Sequence, residues 1–167
     1  MSYPESVYFG DTGETIATLR PATGEADILM ESGVRVSYLT TAAQSAGEFG
    51  LYRWDFGDQA TGPAPHFHRS ISESFFVLSG IVTLFDGAQE HETGPGDFLF
   101  VPKGGIHSFR NDHGPASMLI LFTPGAPREG YFELLGEVAA GRLAFTPEEW
   151  VAICKDNDQF YPDTAPR

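Results

Sequence analysis

Short apolar or alternating segments, separated by glycine, proline and acidic or amide residues, fill the middle of this 167-residue chain. Segments this short and this often interrupted are typical of an all-β sandwich or barrel, because each strand ends where the next turn begins. The predicted strands are Val34–Thr40, Phe49–Phe56, Ser74–Leu78, Ile81–Phe85, Phe98–Val101, His107–Arg110 and Met118–Phe122.

The clearest turn signal is Asp86-Gly87, which lies between Ile81–Phe85 and the alternating run Ala88–Glu92. Two-residue hairpin loops of type I′ need a positive φ at both central positions, and Asp-Gly is a favoured pair there. The sequence therefore predicts a β-hairpin with Asp86 and Gly87 at its tip.

The last forty residues change from a strand period to a helical one. Tyr131, Leu134, Leu135 and Val138 recur at i, i+3, i+4 and i+7, which places them on one face of a helix. Gly141 follows at a position that suits a helix C-terminus. We therefore predict an amphipathic helix that ends near this glycine.

A second helix is predicted from Thr146-Pro147-Glu148-Glu149, which combines an N-cap threonine, a proline at N1 and a glutamate at N3. It should extend to about Lys155. No internal repeat or composition break marks a second domain. We expect one domain with an N-terminal arm over 1–33, a β-barrel over 34–124 and a helical segment over 125–167 that packs on the barrel or covers its mouth.

The charge balance excludes several classes of partner. Ten Lys and Arg face 23 Asp and Glu, for a net charge of −13. This charge repels phosphate backbones and anionic membranes, so we expect no nucleic-acid or membrane partner. The single cysteine, Cys154, excludes an intrachain disulfide and suits a buried, inert thiol. Because the first residues also lack the pattern of a signal peptide, we expect a cytoplasmic protein.

Three histidines and one glutamate in the predicted barrel carry the pattern of metal ligands. His66 and His68 are two residues apart, so on an extended strand both imidazoles project to one face, about 6.6 Å apart. Glu73 follows shortly afterwards and His107 comes from a distant strand. Three imidazoles and one carboxylate suit Fe, Mn, Co, Ni, Cu or Zn better than Ca or Mg. Such a set leaves coordination positions open for water, O₂ or a substrate oxygen.

The same residues resemble the two sequence motifs of the cupin family. The first is His66-Phe67-His68, four residues, Glu73, six residues and Gly80; the second is Gly96, five residues, Pro102-Lys103-Gly104, two residues, His107, three residues and Asn111. One anchor differs, because Ala60 stands where the family has a glycine, with Gly62 nearby. The departure concerns turn geometry rather than the ligands, and the resemblance covers about residues 49–124.

This resemblance implies an antiparallel jelly-roll barrel that holds one divalent transition metal in its mouth through His66, His68, Glu73 and His107. It also implies a homodimer, since many cupins pair through their sheets. The nature of the metal stays open.

Inward-pointing apolar residues near the motifs are candidates for a substrate pocket, with core packing as the alternative. Phe75 and Val77 share the parity of Glu73, and Phe109 shares that of His107. Tyr52 and Trp54 alternate on the preceding strand, but the irregular stretch Gly57–Pro65 leaves their side unassigned.

Three further polar residues receive less specific interpretations. His91 and His113 lie in polar, turn-like stretches and are expected to be solvated. Arg69, next to His68, either forms a surface ion pair or steers an anionic substrate.

Three functions fit the predicted site. The leading one is a dioxygenase acting on a small aromatic or polyphenolic molecule, by resemblance to short bacterial cupins of the quercetin-dioxygenase-like group, with Glu73 as ligand and as general base. The second is a non-redox, metal-dependent cyclase or isomerase of a polyketide-like or sugar-like compound. The third is a non-catalytic module that binds a metal or small molecule. The metal content of the purified protein separates the first two.

Overall fold

Two antiparallel sheets form a jelly-roll barrel, followed by two short helices, in a computed structural model that describes residues 3–162. The larger sheet has six strands in the order β1-β2-β3-β9-β4-β7, and the smaller has three in the order β6-β5-β8. The strands are β1 Ile28–Leu29, β2 Arg35–Thr40, β3 Gly50–Asp55, β4 Ser72–Ser79, β5 Val82–Phe85, β6 Glu90–Thr93, β7 Phe98–Val101, β8 Ser108–Arg110 and β9 Ser117–Thr123; the helices are α1 Glu129–Ala139 and α2 Pro147–Asp156.

Alternation along the central strands creates the barrel interior. On β3 and β9 every second side chain is buried, and the register places Tyr52 opposite Ile120 and Trp54 opposite Met118. On β4, next to β9, Glu73 lies opposite Phe122 and so points to the same side. The strand period that buries the apolar residues therefore also carries a carboxylate into the interior.

The predicted strands are confirmed, and none of their ends differs from the structure by more than two residues. The jelly-roll prediction is confirmed as well. One strand was not predicted: β1, within the N-terminal arm, pairs with β2, and Met30 after it is buried. Two residues are too few to show a period, which explains why the sequence gives no signal there.

The predicted tip of the hairpin is wrong by one residue. Phe85 pairs with Glu90, and the Asp86 N–H donates to the Gln89 carbonyl at 3.1 Å, so the loop residues are Gly87 and Ala88. Of the loop residues, Gly87 alone has a positive φ, +95°. Glycine at the first loop position is the type II′ arrangement, which needs one positive φ instead of two.

Both helix predictions are confirmed. Gly141 follows α1 with a φ of +66°, the left-handed conformation that ends many helices. Thr146 and Glu149 form the predicted capping box of α2. Tyr131 and Phe132 of α1 are buried against the barrel core, so the helices close one end of the interior. Within the described residues, neither helix is long and apolar enough to span a bilayer.

Candidate metal centre

Three histidines and one glutamate meet at this end of the barrel. His66 and His107 pair through two backbone hydrogen bonds of 2.9 and 2.8 Å, which fixes their side chains next to each other. His68 follows two residues after His66, and the centres of their rings are 5.1 Å apart. Glu73 reaches the same point from β4. The potential ligand atoms of these buried residues all lie within 4.8 Å of one another.

Backbone carbonyls orient all three imidazoles. A carbonyl oxygen only accepts hydrogen bonds, so each ring must donate through Nδ1 and turn Nε2 towards the cluster. The acceptors are Ala64 for His66 at 2.9 Å, Asp158 for His68 at 2.6 Å and Gly105 for His107 at 3.0 Å. Histidines that bind metals in proteins almost always have such a partner on the other nitrogen.

The Glu73 carboxylate shows why this arrangement fits a cation. Its Oε2 lies 2.8 Å from His107 Nε2 and 3.1 Å from His68 Nε2. A neutral imidazole has one N–H, which Nδ1 already uses, so its Nε2 would face the carboxylate lone pair against lone pair. Either the rings carry a second proton or a cation lies between these atoms. A divalent metal supplies the positive charge without a proton.

Electrostatics keep the carboxylate ionised. Burial by itself raises the pKa of the Glu73 carboxyl, but the charges and hydrogen bonds of His107 and His68 outweigh it and hold the pKa below its usual value. Burial also lowers the pKa of His107, yet Glu73 outweighs it and raises that pKa above normal. Burial and the neighbouring His107 lower the pKa of His66 to about 3, so the His66 ring is neutral at pH 7 and can offer its Nε2 lone pair to a metal. The cluster is compatible with a divalent metal.

A cavity of about 470 Å³ opens directly onto His66 and Glu73. Its wall is mainly apolar, includes seven aromatic side chains, and combines both sheets, both helices and the segment after α2. The aromatic lining residues are Trp54, Phe109, Phe122, Tyr131, Phe132, Trp150 and Tyr161. A second depression of about 480 Å³ beside β5 and β8 touches none of the four clustered residues.

Two of the five predicted pocket residues line this cavity, Trp54 and Phe109. The other three are corrected: Tyr52, Phe75 and Val77 point inward but are fully buried in the core and do not contribute to the cavity wall. Parity shows which side of a sheet a side chain faces, but it does not separate the packed part of the interior from the open part. Phe75 nevertheless packs beside the cluster, since its ring centre lies 5.8 Å from that of His107.

The segment that follows α2 is part of the site, which the sequence analysis did not predict. The side chain of Asp158 accepts hydrogen bonds from the backbone N–H groups of Arg69 and Ser70 at 3.0 and 2.9 Å. Phe160 forms a two-way backbone bridge with Phe67. Because these contacts anchor the segment beside the histidines, the Asp158 carbonyl is in place for His68.

Arg69 forms no ion pair within the described residues, and its guanidinium lies over the Phe160 ring, 4.1 Å from the centre. The segment also brings Gln159 and Tyr161 into the cavity wall, and Arg128, just before α1, lines the wall as well. These residues lie in irregular chain with no periodicity or motif, so no sequence signal marked them.

The remaining histidines lie apart from the cluster, as expected. His91 and His113 are partly exposed and contact the carboxylates of Asp86 and Glu92 at 2.7 and 2.9 Å. Cys154 is a buried free thiol, which agrees with its predicted inert role.

The fold and cluster agree with a family comparison. Residues 52–122 match the family model described as a cupin domain. This part of the chain is therefore similar to a cupin domain. The matched region contains all four clustered residues, whereas the arm, both helices and the segment after α2 lie outside it.

This chain is similar to proteins whose named activities differ. It is 29% identical over 121 residues to quercetin 2,3-dioxygenase from Bacillus subtilis (strain 168), a match that covers 72% of this chain and 35% of that enzyme. The chain thus spans about a third of that relative's length. The polyketide cyclase RemF from Streptomyces resistomycificus superposes with a TM-score of 0.54 at 23% identity, over 68% of this chain and 82% of that one. KdgF from Halomonas sp. superposes with a TM-score of 0.53 at 14% identity, over 62% of this chain and 90% of that one. At these identities the two structures show a common fold.

Proposed function

We propose that this protein is a metal-dependent enzyme that acts on a small aromatic or polyphenolic molecule, as a dioxygenase similar to quercetin 2,3-dioxygenase. The observation that carries the proposal is the opening of the His66/His68/Glu73/His107 cluster onto a mainly apolar cavity whose wall includes seven aromatic side chains. The sequence similarity to quercetin 2,3-dioxygenase supports the reaction class.

The proposed cofactor is one divalent transition metal held by Nε2 of the three histidines and by the Glu73 carboxylate. The orientation of the rings by backbone carbonyls and the lone-pair conflict at Glu73 both support it. Such an ion, when bound, supplies Lewis acidity and electron transfer at a substrate oxygen.

The chain's own residues supply binding, water exclusion and proton transfer. Aromatic faces such as Trp54, Phe109 and Phe132 offer stacking surface to a planar ring and keep the cavity poor in water. Glu73 is ionised and borders the cavity, so its carboxylate is the group that accepts a proton from a substrate hydroxyl.

Oxygen uptake tests the reaction class. Protein loaded in turn with iron, manganese, nickel or copper is mixed with quercetin or a catechol in an oxygen-electrode cell. We expect uptake by the wild type, loss of uptake in His66→Ala and normal uptake in His91→Ala, whose ring lies away from the cluster. Full occupancy by these metals without oxygen uptake contradicts the dioxygenase assignment. If the protein as purified also contains stoichiometric zinc, the result points instead to a non-redox cyclase or isomerase.

We further propose that two copies pair through the outer face of the larger sheet. Phe98 and Phe100 on the edge strand β7 are 62% and 56% exposed, and Phe76 on β4 lies beside Phe98 in the register. A contiguous apolar face on an edge strand is typical of an interaction surface, and a second copy offers the same flat apolar face in return.

A further inference from the structure

Arg128 is a buried cation in the wall of the cavity that holds the ligand cluster. It is 4% exposed, stands at the start of α1 and shares the cavity wall with His66 and Glu73. Among the described residues, no carboxylate lies within ion-pair distance of its guanidinium. A buried charge without a carboxylate partner is costly, and the rings of Phe122, Tyr131 and Phe132 around the guanidinium offset part of that cost.

The protein contacts of Arg128 hold the side chain but leave donors unused. Nη1 donates to the Asn157 carbonyl at 2.6 Å, and the guanidinium lies 4.7 Å from the centre of the Tyr131 ring. Nε is buried and has no acceptor in the described chain. A guanidinium has five N–H donors in a planar fork, a shape that matches the two oxygens of a carboxylate.

A second unused donor belongs to the same wall. In the part of the chain that the structure describes, two buried side-chain polar atoms lack a partner, Arg128 Nε and Trp54 Nε1, and both belong to residues that line this cavity. Buried donors without acceptors are rare in folded proteins. Both atoms are covered in this structure, so a ligand with acceptor oxygens in the cavity would reach them after a small shift of the wall.

The charges of the wall favour an anion. Glu73 and Arg128 are the two charged residues in the lining. Glu73 already contacts His68 and His107, so it is not available to pair with Arg128. Burial lowers the pKa of the Arg128 guanidinium, and the opposing effect of Glu73 does not compensate, although arginine stays protonated at neutral pH.

We propose that Arg128 binds the anionic oxygen of the substrate, so that the substrate class is an aromatic carboxylate or phenolate. The aromatic wall contacts the ring, and the guanidinium binds the charged group and thereby sets the ring's orientation in the cavity. This inference rests on the proposed function, because it assumes that the cavity is the substrate site.

The test compares two probes of similar size, 2-naphthoate and the neutral 2-naphthylmethanol, by calorimetric titration of the protein as purified, with its metal content measured. We expect the wild type to bind naphthoate at least about tenfold more tightly than the alcohol, because charge-assisted hydrogen bonds are stronger than neutral ones. Arg128→Met keeps an unbranched apolar side chain and should abolish this preference while leaving the alcohol affinity and the metal content unchanged. The control Arg142→Met removes an exposed arginine paired with Glu137 and should retain the preference.

Equal affinities in the wild type, or equal losses for both probes in Arg128→Met, overturn the proposal and leave Arg128 a packing role. Absence of binding by either probe overturns it together with the aromatic substrate site. Oxygen uptake from quercetin with no preference for naphthoate overturns the role of Arg128 alone. If Arg128→Met does not fold, the Nε–H resonance of Arg128 in the wild type decides, since it should shift with naphthoate and not with the alcohol.

Discussion

Hydrogen bonding at Nδ1 determines what each clustered imidazole can do. Since the carbonyls of Ala64, Asp158 and Gly105 occupy the Nδ1 protons, the three Nε2 atoms converge with their lone pairs exposed. The spacing of His66, His68, Glu73 and His107 was enough to predict this set from sequence. The Asp158 carbonyl was not predictable, because it depends on where a distant backbone segment packs, whereas the carbonyls of Ala64 and Gly105 come from two residues before their histidines.

Removal of one imidazole should remove the metal. We expect His66→Ala to lower the metal-to-protein ratio after dialysis by at least about tenfold, because a three-ligand remnant binds a divalent ion much more weakly. His91→Ala removes a partly exposed histidine and should keep the wild-type ratio. Elemental analysis measures both, and an unchanged ratio in His66→Ala would falsify the assignment of this ligand.

Gly62 lies where the backbone of its loop closely approaches β8. A β-carbon on Gly62 would lie 1.8 Å from the carbonyl oxygen of Phe109, a distance at which the backbone must move. Gly62 and Phe109 both line the cavity, so the fit between this loop and β8 shapes the site.

Gly62→Ala should therefore destabilise the protein by about 1–3 kcal/mol, the usual cost of forcing an atom into a packed region. Gly94→Ala is the matched control, because a β-carbon there meets no atom within 4 Å and the change should stay within about 0.5 kcal/mol. Urea unfolding gives both free energies. Equal stability of the two variants would show that the loop yields without strain.

Strands and helices were predictable because their periods and caps are local features of the sequence. The role of the segment after α2 was not predictable. This segment has no period, yet Asp158 connects it to the histidine loop through its side chain and supplies a carbonyl to His68. Asp158 adopts a φ of +55°, which is uncommon for a residue with a side chain and is held by these hydrogen bonds. The element therefore positions a ligand from 90 residues away in sequence.

Asp158→Ala should weaken metal binding while leaving the fold intact. Loss of the side-chain hydrogen bonds frees the loop and with it the carbonyl that orients His68, so we expect about a tenfold to hundredfold lower affinity. Asp156→Ala, two residues earlier on the exposed face of α2, should bind metal like the wild type. Competition with a fluorescent chelator measures the affinities, and identical values for both variants would contradict the positioning role.

At the scale of the whole molecule, the jelly-roll and the cluster were predictable, while the division between core and cavity was not. Parity placed Phe75 and Val77 in the interior and left the side of Tyr52 unassigned, but the position of α1 and α2 decides which inward residues meet open space. Arg128, which lies outside the matched cupin region, reaches the cavity for the same reason. Packing between distant elements is the information that a single sequence does not display.

The outer sheet face gives a prediction about assembly. We expect the wild type to be a dimer at micromolar concentration and the double variant Phe98→Ser/Phe100→Ser to be a monomer, because burial of these two rings stabilises the pair. Leu143→Ser, at an exposed residue away from this face, should leave the dimer intact. Light scattering after size exclusion gives the masses; a monomeric wild type contradicts the pairing.

The most direct test of the metal centre is anomalous X-ray diffraction from crystals of the protein as purified, recorded on both sides of the absorption edge of the metal that elemental analysis finds. The account predicts one strong anomalous peak among His66, His68, Glu73 and His107, about 2.0–2.2 Å from each ligand atom. A peak at any other place, or full metal content with no peak at this cluster, would contradict it.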